Sequence, residues 1–305
     1  EGEVKKALSI PREEPLTCNL AATLNQLDAS GAGARRSVSG SPEWSNPDHL
    51  FHDLSGIQNL SSLTDLALRN RGLSDITPLA ELTDLVNLNL HTNWISDISP
   101  LRNLTKLVRL RIAENPLTDI DALSELTELR VLRMHRHGDF IGGQNPRSHM
   151  GATGLLFTNA VTDIGPLAKL IKLVDLNIHT QEISDLTPLS GLTSLIELRL
   201  AANSFTDLAP IRGLTSLQYL ELTGNDITDI DPLSGLINLK QLDLRFNPEL
   251  TNIKALLENP GIGDGDIVEL RHTNVSCVDQ VRLQDKGVDV RTELFSSCAT
   301  ANRQR

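Results

Sequence analysis

Arg109, Arg111, Arg133, His135 and Arg136 bring five basic side chains close together in the middle of the chain. A guanidinium is a planar fork of donors that binds carboxylates or phosphates through paired hydrogen bonds, so arginines gathered on one face could seat an acidic partner. Further on, Asp175, Glu197, Glu221 and Asp243 make an acidic stretch, with Tyr219 and Arg245 among them. A solvated face of mutually compensating charges is the plainer reading of the same residues, and residue type alone leaves both open. Seven aspartates that precede an apolar residue, Asp75, Asp97, Asp119, Asp163, Asp185, Asp207 and Asp229, suggest a calcium ladder. Calcium, however, needs clustered oxygens, and each of these stands alone, which favours a solvated or turn-bonding role.

Other chemistries find no support. No G-x-S-x-G, no H-E-x-x-H and no phosphate-cradling glycine loop with a lysine is present. The glycine-rich GIGDGD at Gly261–Asp266 lacks that lysine and reads as a turn into a strand. His91, His135 and His179 recur at intervals of 44 residues. If they stand on alternate strands, about 10 Å apart, no two could ligate one ion. The chain is therefore expected to be no enzyme and to need no cofactor or metal.

These residues are positioned by a period. From Leu63, steps of 22 residues reach Leu85, Leu107, Leu129, Gly151, Leu173, Leu195, Leu217 and Leu239, nine repeats in one register. The most regular reads LVNLNLHTNWISDISPLRNLTK, from Leu85 to Lys106. Alternation at Leu88 and Leu90 predicts a strand with one buried face. Asn93, Asn115, Asn159, Asn203, Asn225 and Asn247 recur where the chain must turn inward, and their amides can satisfy backbone groups that the turn leaves open. Thr77-Pro78, Ser99-Pro100, Thr187-Pro188 and Asp231-Pro232 predict a short helical or 3₁₀ segment on the opposite side. One repeat cannot bury its own apolar face, so the repeats must stack.

The pattern L-x-x-L-x-L-x-x-N-x-I-x-D-I-x-P-L-x-x-L-T-x resembles the leucine-rich repeat of the 22-residue class found in bacterial internalins and in intracellular phosphatase-regulator repeats, over roughly residues 53–258. The resemblance implies an α/β solenoid, a horseshoe or rod with a parallel concave sheet and short helical or 3₁₀ convex segments. It also implies protein binding, without naming the partner. Outward strand positions fall two, four and six residues into each repeat, which aligns Arg109, Arg111, Arg133 and His135 as a basic patch on repeats three and four. Phe157, Tyr219 and Phe246 are the aromatic candidates on that face.

Repeats four and five keep the count and lose the content. HRHGDFIGGQNPRSHM places His137 where Asn belongs, and Gly151 and Gly154 replace leucines. Glycines there make a flexible loop projecting from a rigid scaffold, of the kind that carries function, or mark the decay of one tolerant repeat.

The organisation expected is an N-terminal cap helix plus linker over 1–52, a solenoid over 53–259 irregular at 138–155, and a C-terminal cap over 260–305. LTCNLAATLNQL is the cap helix and Asp28 to Pro47 the linker. At the other end Ile267, Val268 and Leu270 before Asn274 mimic a further strand. A short helix ended by Gly287 and an extended piece through Val290 follow. Cys277 and Cys298 in this tail are either a disulfide, which implies an oxidising compartment, or two buried free thiols, with Cys18 left over. Asn59, Asn103 and Asn274 head formal glycosylation sequons.

The chain opens on Glu1, which implies something upstream removed or omitted. A net charge of −11 disfavours nucleic acid and anionic membrane as partners. No apolar run approaches the roughly 18 residues needed to span a bilayer, so no membrane insertion is expected. The expectation is thus a non-enzymatic protein-binding module, extracellular or on the cell surface, recognising a partner with an acidic patch through the concave face and repeats four and five. The rivals are an intracellular, cytoplasmic scaffold that docks an enzyme and a structural module that associates with itself. Amide hydrogen exchange should find 138–155 opening before the flanking repeats; uniform protection would refute a soft point there.

Overall fold

A computed structural model of the chain describes residues 25–30, 54–136 and 160–292. These divide into two compact units, the first holding 25–30, 54–136 and 160–161 and the second 162–292. Phe157, Cys18, Cys298, Asn159 and the irregular segment 138–155 lie outside the described residues.

Unit one carries strands β1 (Gln26–Asp28), β2 (Asp65–Ala67), β3 (Asn87–Asn89), β4 (Arg109–Arg111) and β5 (Val131–Arg133), each paired in parallel with the next. Unit two carries β6 (Asp175–Asn177), β7 (Glu197–Arg199), β8 (Tyr219–Glu221), β9 (Gln241–Asp243), β10 (Ile267–Glu269) and β11 (Asp289–Arg291), also parallel and in chain order. The central residue of a strand points inward. Leu66, Leu88, Leu110, Leu132, Leu176, Leu198, Leu220 and Leu242 are all buried. Leucines at the first repeat position, such as Leu85, Leu107, Leu195 and Leu217, are fully buried beneath them. Each such side chain contributes about 1.5–3 kcal/mol on leaving water. The flanking strand residues, including every arginine of interest, face outward.

Opposite the strands, short 3₁₀ segments such as Thr77–Leu79, Ser99–Leu101 and Thr187–Leu189 begin with the expected Pro in the first turn. The aspartate two residues upstream fixes each entry. Asp75 Oδ1 accepts from the Thr77 N–H at 2.8 Å, Asp97 from Ser99 at 2.7 Å, and Asp119, Asp163, Asp185, Asp207 and Asp229 repeat the contact at 2.7–2.8 Å. Asn252 does the same for Lys254 at 2.9 Å, so the bond needs the oxygen and not its charge. The seven carboxylates are turn-bonding residues, one to a coil.

The asparagines bind coil to coil. Asn93 is 3% exposed. Its Nδ2 donates to the carbonyls of Leu68 at 2.9 Å and Leu90 at 2.8 Å, while its Oδ1 accepts from Arg71 N–H at 3.0 Å and Leu73 N–H at 3.1 Å. Asn203 repeats all four bonds, and Asn115, Asn225 and Asn247 repeat both carbonyl bonds and one of the two N–H bonds. Among the described residues, two coils before β10 lack the asparagine. Arg71 and Gln181 stand in its place, and the next residue, Gly72 (φ 67°) or Glu182 (φ 61°), takes a left-handed conformation. Arg71 instead donates from its guanidinium to the carbonyls of Ala29 and Ser30.

The ends depart from the sequence reading in two places. Gln26 and Leu27, expected to close a helix, belong to β1, whose edge contact covers β2; the Asn25 carbonyl accepts from Thr64 N–H at 2.9 Å and Asp65 N–H at 3.1 Å. Covering an edge removes the unpaired ladder that would otherwise face water. In the tail, pairing of Val268 with Leu242 puts Thr273, and not Asn274, at the asparagine position. Thr273 Oγ1 donates to the Leu270 carbonyl at 2.7 Å, the bond an asparagine amide makes in other coils.

The helix ended by Gly287 and the last strand sit where the sequence reading places them, whereas a helix before β10 was not anticipated. Helix α1 (Lys254–Glu258) occupies the lengthened coil between β9 and β10. Its C-terminal carbonyls are met by Lys286 Nζ, 3.0 Å from Leu256 O and 2.8 Å from Asn259 O. Helix α2 (Cys277–Asp285) starts on Ser276, whose Oγ accepts from Asp279 N–H at 3.2 Å. Gly287 (φ 87°) ends it, and a Cβ there would lie 2.8 Å from Asp264 Cα. Ile267 pairs with Asp289, which restores the 22-residue step at β11.

Asn225→Ala strands a buried Asn203 N–H and two carbonyls and should lower stability by about 2–4 kcal/mol in urea unfolding, whereas exposed Asn103→Ala should stay within about 0.5 kcal/mol. The carboxyls of Asp75, Asp97 and Asp185 are held below their usual range, chiefly by the Thr77, Ser99 and Thr187 donors. A depressed folded pKa gives stability that is present above the unfolded value, about 3.9, and is lost as pH falls through the folded one. Asp97→Asn, which copies Asn252, should retain the neutral-pH fold and flatten part of that acid limb in thermal melts; an unchanged acid limb would refute the linkage.

Candidate functional site

The strand faces hold the predicted residues, and the two units use them differently. In unit one, Arg111 pairs in register with Arg133, and Arg109 with Val131. Two guanidinium-bearing positions thus lie one strand spacing apart, about 4.8 Å at the backbone. Arg109 donates to Asn87 Oδ1 at 3.3 Å, and Asn87 Nδ2 in turn donates to Asp65 at 2.6 Å. Neither Arg109 nor Arg111 makes an ion pair among the described residues. His135 and Arg136 are half-buried just beyond β5.

His91 and His135 come closer than strand spacing implies. Their rings are 6.1 Å apart, tilted 47°, and His91 Nε2 is 3.6 Å from Glu114 Oε1. The intervening coil presents Ala113 at the same position, and that small residue lets the rings lean together. The expectation that the histidines stand 10 Å apart is corrected accordingly for this pair.

In unit two the acidic stretch is already answered by arginines. Arg199 binds Asp175 at 3.2 Å and Glu197 at 2.8 Å, and its guanidinium lies 4.6 Å from the Tyr219 ring centroid. Arg245 forks onto Asp243 with Nε at 2.9 Å from both oxygens. Arg271 and Arg291 share Glu269, at 2.9 and 3.2 Å. Glu221 is the exception. Burial and the neighbouring Asp243 raise its carboxyl above the usual range, opposed by Arg199 and Arg245. Burial and Glu221 push Tyr219 up to about 12. Phe246 stacks on His272 with centroids 4.2 Å apart.

Residue type could not distinguish these two faces, because pairing depends on which neighbour in the register an arginine can reach. Sequence reasoning also missed that Gln26 and Asp28 join the unit-one face through β1. A signal was available: Gln26-Leu27-Asp28 repeats the Gln241-Leu242-Asp243 tripeptide of β9. Cys277 is disulfide-bonded. Among the described residues no helix is long and apolar enough to cross a membrane.

Comparison with known proteins agrees with this architecture. The family model for leucine-rich repeats in two copies matches residues 215–258. No curated protein sequence matches significantly. Internalin C2 of Listeria monocytogenes is similar at 28% identity and a TM-score of 0.63, over 79% of this chain and 90% of that one. Internalin F of the same organism shares the fold at 23% identity and a TM-score of 0.52, over 97% and 94% of the two chains. The functional domain of InlJ, which includes a cysteine ladder, does so at 21% and 0.65, over 96% of this chain and 58% of its own. The leucine-rich repeat fold generally mediates protein–protein interaction, and this chain, with its parallel strands, 3₁₀ turns and 22-residue coils, has that fold and is similar to the internalins.

Proposed function

We propose that the chain is a non-enzymatic binding module, extracellular or surface-associated, that captures a protein partner bearing an acidic patch on the concave strand face of unit one. Arg109, Arg111, Arg133, His135 and Arg136 carry the contact, and the irregular segment 138–155, which follows them in the sequence, is proposed to add to it. Tyr219, Glu221, Asp243 and Arg245 offer a second contact surface on unit two. The observation that carries the reading is the contrast between the faces. Arg199, Arg245, Arg271 and Arg291 each hold a carboxylate, whereas Arg109 and Arg111 hold none among the described residues. Guanidinium groups left without a carboxylate are poised to take one from outside.

The disulfide at Cys277 supports an oxidising compartment. An intracellular scaffold would keep its thiols free, so the same bond counts against that rival. Self-association predicts oligomers that grow with concentration in light scattering without any partner.

The immobilised chain and its Arg111→Glu/Arg133→Glu variant should differ at least tenfold in the partner captured from an extract of the native source, equivalent to about 1.4 kcal/mol or more. Arg212→Glu, away from this face, should capture normally. Equal recovery by the double variant would overturn the reading.

A further inference from the structure

The first four strands of unit one line an open hollow of about 370 Å³, bordered by Asp28, Asp65, Ala67, Asn89, Arg109 and Arg111 among others. That volume lies at the small end of ligand sites, which run from roughly 300 to 1,000 Å³. Its polar groups are ordered by charge. Asp28, Ala67, Asn89 and Arg111 are successive register partners across β1 to β4, so a carboxylate and a guanidinium end one row three strand spacings apart, about 14 Å. Ala67 is the small residue in that row and leaves it hollow.

The parallel row of Gln26, Asp65, Asn87 and Arg109 repeats the order of charge, but its members are tied to one another. Thr64 Oγ1 donates to Asp65 at 2.8 Å, Asn87 to Asp65 at 2.6 Å and Arg109 to Asn87 at 3.3 Å. That row forms a wall. The Asp28–Arg111 row stays open: Arg111 makes no side-chain hydrogen bond among the described residues, and Asp28 accepts at 3.0 Å from the Ser30 N–H two residues on. The hydroxyl and N–H of Ser30 hold the Asp28 carboxyl below its usual range, with Arg69 and Arg71 adding to this, so its pull on a further cation is partly answered.

We propose that this pocket seats an extended segment of a protein partner running across the strands, with an acidic side chain on Arg111 and a basic one on Asp28. An extended chain advances about 3.3 Å per residue, so side chains four apart share a face and stand about 13 Å apart, matching the row. The arginine end dominates, because its cation has no carboxylate and the Asp28 end is partly answered. The assignment rests on the reading that the strand face of unit one binds a protein, and it adds the polarity and spacing of what binds there.

The probe is the peptide acetyl-Lys-Ser-Ser-Ser-Glu-amide, titrated into the full chain and followed by backbone amide NMR. Saturable shifts should concentrate on 26–28, 65–67, 87–89 and 109–111. Replacing the peptide's Glu by Gln should weaken binding about tenfold and replacing its Lys by Gln about threefold. Ala67→Trp, which fills the hollow, should abolish the shifts, whereas Arg102→Ala should not change them. The glutamine peptides test the proposal on the unaltered chain, whatever Ala67→Trp does to folding. Shifts absent from these strands, or indifferent to the Glu replacement, would overturn the pocket. If they are absent while Arg111→Glu/Arg133→Glu still loses capture, the pocket alone fails. If the peptide binds as expected while that variant captures normally, the wider face reading fails, and the assignment of the pocket to a segment of that partner fails with it.

Discussion

A buried asparagine amide bonded to backbone groups of two successive coils recurs through the repeats, and the rest of the structure depends on such groups being satisfied. Wherever a strand gives way to the turn, N–H and C=O groups of two successive coils are left facing the interior, where water cannot reach them. The asparagine supplies two donors and two acceptor lone pairs in one plane, which suits that demand. Leucine burial and strand pairing both depend on that demand being met, because otherwise each would enclose unpaired polar groups at a cost of about 1–3 kcal/mol apiece. Where another residue stands at that position the coil finds other bonds: Arg71 donates to the carbonyls of Ala29 and Ser30, and Thr273 to that of Leu270.

With the coils fixed at 22 residues, outward positions on adjacent strands become neighbours by arithmetic, and electrostatics is written along rows that cross the chain. The two units spend those rows differently. Unit two closes its charges internally, and Glu221 and Tyr219, buried among those pairs, have their acid groups raised above the ordinary range. Unit one leaves cations at Arg109 and Arg111 beside a hollow floored by alanine. An interface that must desolvate its charges gains more from the second arrangement, since no internal ion pair has to break first.

Much of this was legible in the residues. The period, the buried leucines, the asparagine bonds, the turn-bonding aspartates and the helix between Ser276 and Gly287 each follow from local pattern and chemistry. Strand β1 was not recognised, because three residues make a weak signal and the step from Gln26 to Asp65 breaks the register. Leu24-Asn25-Gln26-Leu27-Asp28 nonetheless carries the same L-x-x-L spacing as Leu239-Lys240-Gln241-Leu242-Asp243. Arginine pairing and the approach of His91 to His135 lay beyond sequence because both are settled by side-chain reach: a long guanidinium selects among several carboxylates, and a single alanine decides whether two rings meet.

The turn-bonding aspartates also act outside the coil that each one closes. In unit one Asp75, Asp97 and Asp119 stand at equivalent places in successive coils, all exposed and with their charge unspent. Together they form a rail of like charge along one edge, spaced at about the 4.8 Å of the strands. Another copy presenting the same edge meets repulsion that fades only within a Debye length of about 8 Å at physiological salt. The bonds that shape the turns therefore also bias how neighbouring molecules pack, and ionic strength governs that bias.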